Sequence, residues 1–189
     1  RRSVNAEATW LFGEMVKQGI RNITFTQARK TAELILLYAR EELGYERPDL
    51  LQQISAYRSG YLPRERRAIE EGLRRGEVQG VVATSALELG IDIGGMDASI
   101  LIGYPGSIAA ARQQAGRAGR KMAPSLSILI TAPNALDQYL ARNPDYFFER
   151  SPERALIAPD NLLILLQHIR CAAFELPFDK GEGFGAIPA

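Results

Sequence analysis

The 189-residue sequence has few of several residue types, and each shortage excludes a class of protein. A single cysteine cannot form an internal disulfide, and with a single histidine it cannot complete a four-ligand metal site. No apolar run approaches the roughly 18 residues of a membrane span. These shortages predict a globular, cytoplasmic protein in a reducing environment, with no bound metal of its own and no membrane partner.

Two motifs of nucleotide-binding enzymes are also missing from the sequence. There is no G-x-x-x-x-G-K-[ST] loop, in which backbone N–H groups and a lysine cradle phosphates. There is also no Asp-Glu run of the kind that holds Mg²⁺ beside a nucleotide. Because both motifs are absent, the sequence is not expected to form a complete pocket for a nucleoside triphosphate.

The charged residues that are present are mostly balanced, but the basic ones are unusual in type. The sequence has 23 basic and 22 acidic residues, and 19 of the basic residues are arginine. Arginine is the residue suited to planar, two-point contact with phosphate. The arginine excess is therefore a first indication of a phosphate-bearing ligand.

Hydrophobic periodicity predicts strands that alternate with helices along most of the chain. Short β-branched or apolar runs predict strands at residues 22–26, 54–57, 80–84, 98–102 and 126–131. Helical spacing predicts helices at residues 5–17, 27–43, 63–75, 108–114, 134–142 and 162–174, with Gly44 and Gly76 ending two of them. This alternation predicts an α/β fold with a mostly parallel sheet and helices on both faces.

The texture of the sequence changes near residue 143, where turn-forming and aromatic residues become frequent. We therefore expect one domain at residues 1–150. Residues 151–189 are expected to be a partial helical C-terminal extension, the truncated start of a following element. Within the first domain, ligands are expected at the carboxyl ends of the parallel strands.

The strongest chemical signal is the segment 113–120, in which Arg117 and Arg120 each follow a glycine. Glycine allows the backbone to approach a ligand closely, and two guanidinium groups on a short arc form a clamp for a polyphosphate. The alternative is a solvated basic turn.

Two further strand ends carry polar residues. Thr84 ends a buried strand, and Asp92 follows in an otherwise apolar loop, where it suits a ribose hydroxyl. Arg58 and Gly60 precede a helix N-terminus, which attracts anions. The alternatives are that Thr84 and Asp92 only cap turns, and that the arginine-rich helix after Gly60 is a solvated face.

The order and spacing of these segments resemble the second RecA-like domain of superfamily 2 DEAD/DEAH-box helicases. Residues 24–32 look like motif IV, 58–63 like motif IVa and 83–93 like motif V, and 113–120 match the motif VI pattern Q-x-x-G-R-x-G-R. Residues 85–94 and 161–177 are most similar to the MrfA/YprA-type DNA repair helicases, which carry a zinc-binding C-terminal domain. The resemblance implies a RecA-like three-layer fold.

The resemblance also implies roles for individual residues. Arg120 would be the arginine finger on the γ-phosphate, with Arg117 beside it. Nucleotide contacts would come from Gly90, Asp92 and Gln113. Contacts to the phosphates of one nucleic-acid strand would come from Thr26, Arg58, Gly60 and Thr84.

The resemblance further implies cofactors and partners. ATP and Mg²⁺ would be held mainly by an N-terminal RecA-like lobe of the same polypeptide, so the chain alone is expected to be inactive. The substrate would be single-stranded or partly duplex DNA, with RNA left open, and the protein would be a monomer. Two alternatives stay open: a nucleic-acid binding module without motor activity, and a nucleotide-binding transferase of doubly wound fold.

Overall fold

The computed structural model describes residues 2–88, 91, 93–119, 124–153, 158 and 161–184. The chain divides into two compact units, residues 1–153 and residues 154–189. Each unit is described by itself below.

The first unit is built on a sheet of five short strands, all parallel. The strands are β1 (Asn22–Phe25), β2 (Ile54–Tyr57), β3 (Gly80–Ala83), β4 (Ala98–Ile102) and β5 (Leu126–Ile130). They lie in the order β2-β3-β1-β4-β5, and each neighbouring pair is parallel. The predicted mostly parallel sheet is confirmed, and all five carboxyl ends lie at one edge.

Six α-helices lie among the described residues of the first unit. They are α1 (Val4–Lys17), α2 (Arg29–Glu46), α3 (Pro63–Arg75), α4 (Ile108–Ala115), α5 (Ala135–Arg142) and α6 (Pro144–Phe148). Short 3-10 helices occur at Pro48–Gln53 and Ser85–Leu87.

The core has two layers, because successive side chains of a strand point to opposite faces of the sheet. On one face, Val82 of β3 and Ile100 of β4 pack in one cluster with buried residues of α1 and α2. On the other face, Ile23 of β1 packs with Leu73 of α3. Leu101 of β4 clusters with residues of α4 and α5. Helices therefore cover both faces, as the alternating pattern predicts.

Two glycines, Gly44 and Gly76, were predicted to end helices, and the observed ends of α2 and α3 test these predictions. Gly76 caps α3 as predicted: its φ is +79°, and its N–H donates to the carbonyls of Gly72 and Leu73. The prediction for Gly44 was wrong, because α2 continues to Glu46. The buried Leu43 holds this last turn against the core, and Pro48, which follows, begins the next helical segment.

Two further segments differ from the sequence predictions. Residues 48–53 form a 3-10 helix where no element was expected, and α6 occupies a stretch that was expected to be turns. In both, proline stands at the first helical position, where its fixed φ and missing N–H suit a helix start.

The second unit contains one helix among its described residues, α7 (Leu162–Glu175). Asn161 caps it by accepting a hydrogen bond from the Leu163 N–H at 3.1 Å. Several large apolar side chains of α7 are exposed, including Leu163 and Phe174. The interpretation of this unit as the start of a further element stays a prediction.

Candidate functional site

Polar residues follow three neighbouring strands at the carboxyl edge of the sheet. Thr26 follows β1, Thr84 follows β3 and Arg58 follows β2. The backbone joins these positions, since the Thr26 N–H donates to Ala83 and the Thr84 N–H donates to Tyr57, at 2.9 and 3.2 Å. The structure thus brings together three of the four residues expected to contact a nucleic-acid strand. The fourth, Gly60, is two residues beyond Arg58 in the same loop, and we call the four residues the strand face.

The Thr84 hydroxyl makes no capping hydrogen bond to the 3-10 helix that it precedes. The interpretation of Thr84 as only a helix cap therefore finds no support in its contacts. Thr26 and Thr84 are both largely buried, at 6% and 7% exposure, so their hydroxyls lie in a confined part of the edge.

Arg58 is held in place by one acidic and one aromatic neighbour. Its Nε donates to the Glu33 carboxylate at 2.6 Å, and its guanidinium lies 4.6 Å from the centre of the Tyr61 ring. The Tyr61 hydroxyl donates to the same Glu33 oxygen at 2.7 Å. The Arg58 side chain is 28% exposed, so it is fixed in direction but reachable by a ligand.

The hydrogen bonds to the Glu33 carboxylate shift the pKa values of Glu33 and Tyr61. Partial burial raises the pKa of Glu33, but the hydrogen bonds from Tyr61 and Arg58 outweigh it, so the pKa is lowered overall. Burial and the same carboxylate raise the pKa of Tyr61 to about 12. At neutral pH the cluster therefore holds an ionised Glu33, a neutral Tyr61 and a charged Arg58.

Gly60 has a φ of +103°, which favours glycine. A Cβ atom at this position would lie 3.3 Å from Nη1 of Arg58 and 3.8 Å from Nη1 of Arg29. Two guanidinium groups therefore flank bare backbone here, an arrangement that suits a phosphate group. Arg29 was not among the residues that the sequence singled out.

A cleft of about 240 Å³ opens between the carboxyl ends of β1, β3 and β4. The connection from β3 to β4 crosses β1 here, which makes this the switch point where parallel sheets bind ligands. The polar side chains that line the cleft are those of Thr26, Gln27, Ser85, Glu88 and Gln114.

One wall of the cleft is fixed by a chain of hydrogen bonds. Gln27 Nε2 donates to the Tyr104 carbonyl at 2.8 Å. The buried Asp137 carboxylate accepts the Tyr104 N–H at 3.3 Å and the Ala132 N–H at 2.7 Å. Asp137 thereby ties the loops after β4 and β5 together and supports the contact to Gln27.

The neighbouring glutamines of α4 have different environments. Gln113, the predicted nucleotide contact, is exposed, whereas Gln114 is buried and donates to the Glu88 carboxylate at 2.9 Å. Gln113 is therefore free of the core and Gln114 fixes α4 to the loop after β3.

Arg117 is 6% exposed and fastens the motif VI segment (residues 113–120) to the loop after β3. Its Nε and Nη2 donate to the Glu88 carbonyl, and its Nη1 donates to the Ile91 carbonyl at 2.8 Å. A bridge between Met96 and Ala118 adds a backbone link between the same two regions. The role of Arg117 at the nucleotide stays a prediction, while its contacts position the loop that follows Thr84.

Three predicted site residues, Gly90, Asp92 and Arg120, lie outside the described residues. Their placement on the rim beside Arg117 stays a prediction.

Sequence reasoning did not find Glu33, Tyr61, Glu88, Gln114 and Asp137. Each acts through a partner far away in the sequence, as with Glu33, which lies 25 residues before Arg58. Nothing local marks such residues, because the partners that give them a role lie on other elements.

Among the described residues there is no group of three or more His, Cys, Asp or Glu side chains able to hold a metal ion. Cys171 is exposed on α7. In the part of the chain that the structure describes, no helix is long and apolar enough to cross a membrane.

The profile of the helicase conserved C-terminal domain family matches residues 7–122, which include the strand face, the cleft and the motif VI segment. The chain belongs to this family. The predicted resemblance to the second lobe of superfamily 2 helicases is thereby confirmed.

This helicase C-terminal domain has curated relatives of much greater length. It is 50% identical over 191 residues to the uncharacterized ATP-dependent helicase YprA of Bacillus subtilis (strain 168) and covers 25% of that protein. It is 39% identical over 180 residues to the ATP-dependent helicase hrq1 of Schizosaccharomyces pombe and covers 17% of it. The chain thus spans a quarter or less of the length of these two relatives.

Solved structures of relatives share its fold. A crystal structure of the DUF1998 helicase MrfA bound to DNA and AMPPNP matches with a TM-score of 0.90 and 49% identity, over 100% of this chain and 26% of that one. The Mycobacterium smegmatis helicase Lhr bound to ssDNA and AMP-PNP matches with a TM-score of 0.76 and 26% identity, over 93% of this chain and 23% of that one. The predicted RecA-like fold and the similarity to the MrfA/YprA branch are confirmed.

Proposed function

We propose that this helicase C-terminal domain is the second motor lobe of an ATP-dependent DNA helicase or translocase. The observation that carries the proposal is the contact of Arg117 with the loop after β3. This loop begins at Thr84 on the strand face, and Arg117 belongs to the motif VI segment. Hydrogen bonds of a buried side chain therefore link the two surfaces, and a motor that couples ATP hydrolysis to strand movement requires such a link.

In the proposed cycle, ATP and Mg²⁺ are held mainly by an N-terminal RecA-like lobe of the same polypeptide. Arg120 and Arg117 approach the nucleotide from this lobe, with Gly90, Asp92 and Gln113 completing its contacts. Arginine stabilises the charge that develops on the transferring phosphoryl group. ATP closes the two lobes by bridging them, and hydrolysis releases them.

The strand face would hold one nucleic-acid strand through its phosphates. Thr26, Thr84 and Arg58 offer hydroxyl and guanidinium donors, and Gly60 leaves the backbone accessible. Such contacts fix the register of a strand without reading its sequence. DNA is the proposed substrate because MrfA and Lhr, its relatives, have been solved bound to DNA. We further propose that the full-length protein is a monomer with a zinc-binding C-terminal domain.

The test compares Arg120→Ala and Arg58→Ala in the full-length protein. Arg120→Ala is expected to lower the kcat of ATP hydrolysis by about 10³-fold, the lower range for an arginine finger, with strand affinity unchanged. Arg58→Ala is expected to weaken strand affinity by about tenfold and to spare basal hydrolysis. Arg47→Ala is the matched control, because Arg47 pairs with Asp49 just before the amino end of β2, away from the strand face.

Each arm is run with single-stranded DNA and with RNA of the same sequence. Stimulation of hydrolysis by DNA alone supports the proposal, and stimulation by RNA alone assigns an RNA helicase lobe instead. Binding without any hydrolysis in the full-length protein would favour a binding module without motor activity. Equal losses of strand affinity in the two variants would refute the proposed division of roles.

A further inference from the structure

The first turn of α4 is capped by a side chain from far along the chain. One oxygen of the Glu153 carboxylate accepts the Ile108 N–H at 2.7 Å, and the other accepts the Ala109 N–H at 3.1 Å. The Ser107 hydroxyl accepts the next N–H, that of Ala110, at 3.1 Å. Three of the four N–H groups that have no partner within the helix are thus satisfied by side chains.

A side chain of α4 also contacts the segment that carries Glu153. Nη2 of Arg112 donates to the carbonyls of Phe147, Phe148 and Arg150, at 3.3, 3.2 and 2.9 Å. These carbonyls stand at the C-terminal end of α6, where a cation is favourable. We call the pair Glu153 and Arg112 the α4 clamp, since it joins α4 to residues 144–153 at two points.

The charges of the α4 clamp suit their positions. Hydrogen bonds from the Ile108 and Ala109 N–H groups hold the pKa of Glu153 below its usual range, so its carboxylate is ionised at neutral pH. An anion at a helix N-terminus and a cation at a helix C-terminus both interact favourably with the helix dipole.

The α4 clamp contributes little to the hydrophobic core, since both side chains lie at the surface. Among the described residues, neither side chain lines the cleft or makes a hydrogen bond to the strand face. What the α4 clamp does fix is the direction of an eight-residue helix that carries Gln113 and leads directly into Arg117. Glu153 is moreover the last residue of the first compact unit.

Resting on the proposed function, we propose that Glu153 and Arg112 are positioning residues for ATP hydrolysis, because they set the orientation of α4 and thereby of Gln113 and Arg117. A misplacement of about 1 Å at a distance from the chemistry can lower a rate by about 10²-fold. Loss of the clamp should therefore lower kcat and leave substrate binding intact.

The test uses Glu153→Gln in the full-length protein. Glutamine keeps the length of the side chain but loses the charge and one of the two acceptor oxygens. The kcat of strand-stimulated hydrolysis is expected to fall by about fivefold to tenfold, with the KM for ATP and strand affinity unchanged and Tm lowered only slightly. Glu149→Gln is the matched control, because Glu149 is an exposed glutamate in the same segment. Arg112→Ala should reproduce the effect of Glu153→Gln.

Amide hydrogen exchange on the 189-residue chain tests the clamp itself. Glu153→Gln should speed exchange at Ile108 and Ala109, and Glu149→Gln should not. An unchanged kcat for Glu153→Gln in an active protein would overturn the positioning role alone. A fall in kcat accompanied by a large fall in Tm and by weaker strand binding would also overturn it, since that pattern marks a merely structural role. A wild-type protein without strand-stimulated hydrolysis would overturn the proposed function, and the positioning role with it.

Discussion

Arg58 and Arg117 use the same guanidinium group in two different ways. Arg58 keeps part of its surface open and pairs with Glu33, a carboxylate that a phosphate can replace as a partner. Arg117 is buried and donates to the backbone carbonyls of Glu88 and Ile91. The first arrangement favours exchange with a ligand, and the second favours a fixed loop.

Arg58→Ala is expected to reduce the salt dependence of strand binding as well as the affinity. Each phosphate neutralised on a single strand contributes about 0.7 to the slope of log affinity against log salt concentration. The variant should therefore lose about 0.7 from the slope, measured by fluorescence anisotropy of the full-length protein between low and physiological salt. Arg47→Ala should leave the slope unchanged. A wild-type slope in Arg58→Ala would exclude a phosphate contact at Arg58.

Arg117→Ala is expected to lower the free energy of unfolding of the 189-residue chain by about 2–3 kcal/mol. The variant leaves the Glu88 and Ile91 carbonyls without their buried donor, which costs more than the loss of an exposed contact. Urea denaturation measures the change, with Gln113→Ala as the control, because Gln113 is exposed on the neighbouring helix. Wild-type stability in Arg117→Ala, together with lost hydrolysis in the full-length protein, would assign Arg117 to the nucleotide alone.

At the scale of single elements, alanine substitutions at two glycines measure the effect of backbone conformation without an effect of side-chain packing. Gly44 lies inside α2 and Gly76 follows α3 with a φ of +79°. A Cβ atom at either position would meet no heavy atom within 4 Å. Any difference between alanine substitutions at the two sites therefore comes from the backbone.

Gly44→Ala is expected to raise the free energy of unfolding by about 0.5–1 kcal/mol, because alanine loses less conformational entropy than glycine in a helix. Gly76→Ala is expected to lower it by about 1–2 kcal/mol, because alanine is strained in the left-handed region. Urea denaturation of the 189-residue chain measures both. A loss of stability in Gly44→Ala would show that α2 ends at Gly44 in solution.

The elements show why part of the structure can be predicted from the sequence. The strands and most helices follow local apolar patterns, and the strand-end positions of Thr26, Arg58 and Thr84 follow from parallel pairing alone. Gly44 failed as a stop signal because the packing of Leu43 outweighs local propensity. Glu33 and Glu153 could not be predicted as partners, because they meet their donors 25 and 45 residues away.

At the scale of the whole molecule, the proposed function gives this chain only one side of a nucleotide site. It spans 25% of YprA and 26% of MrfA, and its sequence contains neither the lysine-bearing phosphate loop nor an Asp-Glu run. Arginines that approach a phosphate from outside accelerate transfer only where the phosphate and its Mg²⁺ are already held.

The 189-residue chain is therefore expected to show no ATP hydrolysis, with or without single-stranded DNA, whereas the full-length protein should hydrolyse ATP and respond to the strand. The physical reason is that positioning of the triphosphate, which converts the attack of water into an effectively unimolecular step, depends on groups outside this chain. A phosphate-release assay on the two proteins at equal concentration measures the difference, and the Arg120→Ala chain is the control for contaminating enzymes. Steady turnover by the wild-type chain that Arg120→Ala abolishes would mean that this lobe holds ATP by itself. The donors for the triphosphate would then have to come from its own carboxyl edge.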